Sequence, residues 1–189
     1  MSFLDKLKSV FSAEEKREEL KEEIKKEAEK IEDVVEDAID KEEIILAPIT
    51  GEAKDIKECV DPVFAQEIVG KGVIIIPSEG KVFAPVDGKV SMLAETGHAV
   101  GITSTKGTDL LIHVGLDTVE LEGKPFTIRV ASDDEVKCGD LLIEFDIEQI
   151  KAAGKEIQSP VIVTNAEGKT IDKLNIGQVS HGADLLKLS

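Results

Sequence analysis

Two apolar, β-branched runs face each other across a turn in this chain. Ala99-Val100-Gly101-Ile102-Thr103-Ser104 leads in, and Asp109-Leu110-Leu111-Ile112-His113-Val114 leads out. Between them lies Thr105-Lys106-Gly107-Thr108, where glycine supplies the positive φ that tight hairpin turns require. The pattern predicts an antiparallel hairpin, and a hairpin fixes which residues share a face. With Lys106-Gly107 at the centre of a two-residue loop, His113 lies opposite Val100, and His98 sits two positions further along the same side. Such diagonal neighbours have Cα atoms ~7–8 Å apart, within reach of two long rings. A slip of one residue would send the rings to opposite faces.

The two faces of the second strand are unequal. Leu110, Ile112, Val114 and Leu116 form an apolar side that reads as core. His113 shares the other side with Asp109, Leu111 and Gly115, which reads as a shallow, partly wet surface. Thr96 lies two residues before His98, so its hydroxyl can reach that ring and orient it. The competing reading is that both are ordinary structural or surface histidines. Against it stands the small number: of three histidines in the chain, two converge on one face beside a threonine.

Length and charge narrow the rest. The 189 residues suit one domain and an appendage, and the formal net charge of −16 excludes nucleic acid, whose binders cluster Lys and Arg. There is no Trp or Tyr to stack on bases or sugars. Cys59 and Cys138 form no CxxC pair, and no secretory signal or membrane-length apolar run is present, so a reducing cytoplasm with free thiols is expected. In residues 1–11, Phe3, Leu4, Leu7, Val10 and Phe11 fall at helical spacing with Lys6 and Lys8 beside them. That is the pattern of a short helix lying on an anionic membrane surface. Residues 13–43 are an Ala/Glu/Lys-rich block without Gly or Pro, read as a solvated helical spacer. Residues 1–43 are thus expected as a helical tail and 44–189 as a separate domain.

From Ile44 the texture changes to short β-rich runs punctuated by Gly, Pro and Asp. Ala47-Pro48-Ile49-Thr50-Gly51 is echoed 37 positions later by Ala84-Pro85-Val86-Asp87-Gly88. The class is all-β, a sandwich or flattened barrel of short strands with a duplicated strand-turn motif. Asp146 is placed to cap a short helix ended by Gly154.

Several of these runs, Asp61-Pro62-Val63-Phe64-Ala65, Ile68-Val69-Gly70-Lys71-Gly72, Thr96-Gly97-His98-Ala99 and above all Ile112-His113-Val114-Gly115-Leu116-Asp117-Thr118-Val119, resemble the glucose-type enzyme IIA of the bacterial phosphoenolpyruvate-dependent sugar phosphotransferase system. The resemblance spans residues 44–189, and Phe3-Leu4-Asp5-Lys6-Leu7-Lys8 is similar to the membrane-touching segment of some members. It implies a phosphoryl relay at an antiparallel β-sandwich. His113 matches the histidine that takes the group from the phosphocarrier HPr and passes it to the IIB domain of a sugar permease. His98 matches the second active-site histidine, and Thr96 its hydrogen-bonding neighbour. Asp61 and Asp117 match acidic residues beside the site, suited to Arg or Lys on a partner; for Asp117, turn capping is the alternative. Phe64 matches one of the phenylalanines around the depression, whereas Ala94 and Leu111 stand where aromatics can occur. No cofactor is required. The resemblance also implies zinc on His98 and His113, weak and only with a carboxylate lent by a partner, and a cytoplasmic protein that touches the inner membrane surface. His181 matches no functional position.

Three other readings compete. A catalytic zinc needs a third protein ligand, and neither Ile102 nor Gly115 supplies one. A biotinyl or lipoyl carrier would need its Lys on a characteristic hairpin triplet, and none occurs. The last is a regulatory protein whose unphosphorylated form binds permeases or kinases.

Overall fold

The computed structural model describes residues 42–189, together with Lys21, Lys25 and Lys26, which are helical. The expected amphipathic segment 1–11 and most of the spacer lie outside the described residues. The chain divides into Met1–Glu42 and Glu43–Ser189, and the second unit carries the strands. They are β1 (Glu43–Leu46), β2 (Gly51–Asp55), β3 (Lys71–Pro77), β4 (Lys81–Phe83), β5 (Gly88–Leu93), β6 (Ala99–Ser104) and β7 (Asp109–His113). There follow β8 (Phe126–Ile128), β9 (Glu135–Val136), β10 (Leu141–Phe145), β11 (Ser159–Val163), β12 (Ile171–Lys173), β13 (Gly177–Val179) and β14 (Asp184–Leu188). The first strand begins on Glu43, the last residue of the acidic block, because Glu43 pairs with Leu188 and its carboxylate accepts from Thr108 Oγ1 at 2.5 Å. Two short helices complete the unit, α1 (Pro62–Ala65) and α2 (Ile147–Ala152), the latter capped by Asp146 on the Gln149 N–H.

An eight-stranded antiparallel sheet, ordered β13-β2-β3-β11-β7-β6-β5-β9, is joined by two three-stranded sheets, β1-β14-β12 and β4-β10-β8. The β11–β7 pair lies at its centre, where Val161 faces Ile112, and β2 and β5 stand two strands outward on either side, the placement of a duplicated unit. The Ala-Pro echo is the visible trace of that duplication. Gly51 and Gly88 each open a strand, at the start of β2 and of β5. The two segments also bond reciprocally, Leu46 N–H to the Pro85 carbonyl at 3.1 Å and Phe83 N–H to the Pro48 carbonyl at 2.8 Å.

The main core lies between the sheets and takes Val73, Ile75, Val100, Ile102, Leu110, Ile112, Val161 and Val163 from the large one. Alternation sends Ile74 and Ile162 to its outer face. There they meet Ile56, Cys59, Phe64 and Leu116 in a second, smaller core. The segment running through the one-turn 3₁₀ helix Ile56–Glu58 and α1 therefore covers part of the outer face. Leu111 packs against that cluster, so the histidine face is less open than its composition indicates.

The hairpin departs from its expected register by one residue. Thr103 pairs with Asp109 and Ala99 with His113, leaving a three-residue loop, Thr105-Lys106-Gly107, with Gly107 left-handed at φ +79°. A three-residue loop with a left-handed third position is the next commonest hairpin connection. It is selected here because it places Val100 opposite Ile112 and Ile102 opposite Leu110, apolar against apolar. The two-residue loop would have mixed the faces. A Cβ at Gly107 meets nothing within 4 Å, so Gly107→Ala should cost only the left-handed backbone penalty, about 1 kcal/mol. Ile112→Ala, fully buried in the core, should cost about 2–5 kcal/mol. Urea midpoints of the two variants check both the loop and the register.

Candidate functional site

His113 is the last residue of β7, and His98 stands one residue before β6, just after Gly97 in a left-handed bend at φ +74°. On a continuous pleat with the observed register, His98 would face away from His113. Leaving the pleat returns it. The ring centroids lie 5.0 Å apart in an edge-on arrangement with an interplanar angle of 69°. A backbone bond from the Val114 N–H to the His98 carbonyl, 2.7 Å, locks the two segments together. The rings thus converge by a different route from the diagonal pairing expected of a two-residue turn.

Each imidazole is held by its Nδ1. That of His113 lies 2.7 Å from the Gly115 carbonyl oxygen. A carbonyl only accepts, so the neutral ring carries its proton on Nδ1 and leaves the lone pair of Nε2 free. That of His98 lies 2.5 Å from Thr96 Oγ1. When the hydroxyl donates, His98 keeps its proton on Nε2 and can donate it in turn. Phe64, nearly buried, packs its ring against His113 at 5.5 Å.

Burial pushes the pKa of His113 below its ordinary value, opposed by the bond to Gly115 and by the charges of Asp61 and Asp117. Burial and the neighbouring His113 push His98 down as well. Both rings are thereby biased to the neutral, nucleophilic form. Asp61 also caps α1, accepting from the Val63 N–H at 2.8 Å. Asp117 is exposed in a left-handed conformation at φ 55° and makes no side-chain cap bond. Both line a small depression with Lys155 and Glu156. Neither imidazole lines this depression, nor the larger hollows beside Lys81 and Lys124 and beside Lys89 and Lys137.

Two further residues shape the site. The Gly115 carbonyl, which sets the His113 tautomer, could have been sought as the turn glycine two residues on. Gln158 is distant in sequence, yet its amide accepts from the Val60 N–H at 2.9 Å and donates to the Glu58 carbonyl at 3.4 Å, strapping down the approach to Asp61. Among the described residues, no group of three or more His, Cys, Asp or Glu side chains is placed to hold a metal ion. His181 is exposed, stacked on Phe83 at 4.1 Å and bonded to Thr50.

An antiparallel β-sandwich that presents paired imidazoles on one sheet is the architecture of a known class of carrier domain. Residues 43–168 match the family described as phosphoenolpyruvate-dependent sugar phosphotransferase system, EIIA 1, and the chain belongs to it. A glucose-specific EIIA component of Staphylococcus epidermidis is 49% identical over 129 residues, 68% of this chain and 78% of that protein. A beta-glucoside-specific EIIBCA component of Bacillus subtilis is 49% identical over 148 residues, 78% of this chain but only 24% of that longer protein. In three dimensions the chain resembles the glucose permease IIA from Mycoplasma capricolum. The TM-score is 0.75 at 37% identity, over 78% of this chain and 96% of that one. The protein is accordingly a phosphoryl carrier, a phosphotransferase component of sugar uptake. No helix among the described residues is long and apolar enough to cross a membrane.

The lowered imidazole pKa values have a consequence for stability. The unfolded chain takes up protons first, so stability should be full above the ordinary value of 6.5 and fall as pH drops below it. The urea midpoint should therefore decline between about pH 7 and pH 5, and decline less when both His98 and His113 are replaced by Gln.

Proposed function

We propose that His113 accepts the phosphoryl group from phospho-HPr on Nε2 and passes it to the IIB domain of a sugar permease. One observation carries this reading: the His113 Nδ1 is occupied by the Gly115 carbonyl, which leaves Nε2 unprotonated with its lone pair available to a phosphoryl group. In the step, the Nε2 lone pair forms a bond to phosphorus as the phosphorus–nitrogen bond of the donor breaks and its electron pair returns to the donor imidazole. His98, with Nδ1 on Thr96, offers an Nε2–H to the phosphoryl oxygens. Transfer of this kind depends on alignment and charge stabilisation, which two fixed rings supply.

Partner recognition falls to the rim. Asp61 and Asp117 suit basic side chains of HPr and IIB. Val60, Val63 and Val119, on the same segments, are exposed large aliphatic residues. A single chain joining EIIB, EIIC and EIIA segments, as the Bacillus subtilis relative is described, supports IIB as the acceptor. The work is cytoplasmic, with residues 1–11 touching the anionic inner membrane surface.

The two histidines should fail differently. His113→Gln should abolish phosphate acceptance while the fold is kept. His98→Gln keeps a donor but cannot change charge, so it should still accept phosphate from HPr and lose most onward transfer to IIB. Thr96→Ala should show a milder form of that defect. Acid-labile phosphate mapping and transfer assays check this, and phosphate mapped to His98 in the parent would overturn it.

Two imidazoles would fill only half of a tetrahedral zinc shell. Zinc should therefore bind the isolated chain weakly and gain affinity only when a partner contributes a carboxylate. Calorimetry with and without the partner measures the difference.

A further inference from the structure

Two consecutive peptide units link His113 to the rest of its site, and each is held at both ends. In the first, between Val114 and Gly115, the carbonyl accepts from Thr118 Oγ1 at 2.6 Å and the N–H donates to Ser159 Oγ at 3.2 Å. In the second, between Gly115 and Leu116, the carbonyl accepts from His113 Nδ1 at 2.7 Å and the N–H donates to the Glu156 carbonyl at 2.9 Å. Resting on the reading of His113 as the acceptor, the geometry points to Thr118 and Ser159 as positioning residues that hold the His113 ring in its Nδ1–H tautomer through the Gly115 carbonyl.

The hinge between these planes is Gly115, in the left-handed region at φ +68°. It cannot be stiffened by a side chain of its own. A Cβ there would lie 2.6 Å from Thr118 Cγ2 and 2.8 Å from the Glu156 carbonyl oxygen. Glycine is imposed, and with it the freedom to rotate the carbonyl off the imidazole. The restraint comes instead from hydroxyls in the interior. Thr118 and Ser159 are both fully buried, so neither bond is exchanged cheaply for water. Ser159 gives its own proton to the Ile157 carbonyl at 2.9 Å, which leaves a lone pair for the Gly115 N–H. Thr118 gives its proton to Val114. Donor and acceptor roles are consistent around the whole loop.

The tautomer is the quantity at stake. A free imidazole favours its proton on Nε2, and in that form the nitrogen facing the phosphoryl donor has no lone pair. The carbonyl of Gly115 reverses the preference only while it points at Nδ1.

The test is a two-bond proton–nitrogen NMR spectrum of the histidine rings in the nitrogen-15-labelled full chain, at a pH where both are neutral. It is paired with the rate of phosphate acceptance from phospho-HPr. The parent should show a protonated Nδ1 and an unprotonated Nε2 on His113. Thr118→Val keeps the shape and deletes the hydroxyl, and Ser159→Ala deletes the other. Each should shift the His113 signals toward the Nε2–H form and slow acceptance about tenfold, and Thr118→Ser should restore both. A parent ring already in the Nε2–H form, or a ring that stays Nδ1–H in the hydroxyl-free variants, overturns the proposal. If one variant fails to fold, the parent spectrum and the other variant decide. A ring that shifts with acceptance unchanged leaves the clamp standing and removes His113 as the acceptor.

Discussion

The contact between the His113 ring and the Gly115 carbonyl organises this site, because it decides which ring nitrogen keeps its lone pair. It is possible only where the chain turns back on itself two residues after the strand ends. That turn needs a left-handed residue with no side chain, and Leu116 must then re-enter an apolar environment. The small core around Ile74, Ile162 and Phe64 provides that environment. Chemistry on one side of the large sheet therefore depends on hydrophobic packing built by the distant Ile56–Phe64 segment.

The same packing sets a compromise in electrostatics. An imidazole open to solvent would stay partly protonated near neutrality, whereas one buried outright could not meet a partner. His113 is half-covered by Phe64 and the second core, and desolvation outweighs the nearby carboxylates Asp61 and Asp117. His98 is held by a threonine hydroxyl instead of a carbonyl, and a hydroxyl can reverse its role from donor to acceptor. One ring is thus fixed in its hydrogen-bonding role and the other is adaptable.

Much of the fold was legible because strands such as β2, β3, β5 and β10 begin or end at or beside Gly, Pro or Asp, and because the Ala-Pro echo announced a duplicated unit. The short helix after Asp146 was legible from its cap. Val73–Ile76, four consecutive apolar residues, is the pattern of a buried strand. What it could not show was which segment covers the outer face, since the pairing of Ile74 with the Ile56–Phe64 stretch is tertiary. The hairpin register was misread because a glycine after a lysine fits a two-residue loop equally well by local chemistry. The facing of Val100 and Ile102 against Leu110 and Ile112 was the better guide. Thr96, His98 and His113 stand in one short stretch and could be read together. Gln158 and Ser159 could not, since they reach the site only through the pairing of β11 with β7.

The first and last strands of the sandwich are hydrogen-bonded neighbours, Glu43 opposite Leu188 and Ile45 opposite Leu186. The polypeptide thus enters and leaves the sandwich at one edge. New ends could be cut in an exposed turn such as Thr105–Gly107 and the old ones joined, with little rearrangement of the core. By the same geometry, the unit could be spliced into a longer chain without pulling the flanking segments apart. A sandwich whose ends meet is suited to transplantation between chains, its imidazoles undisturbed.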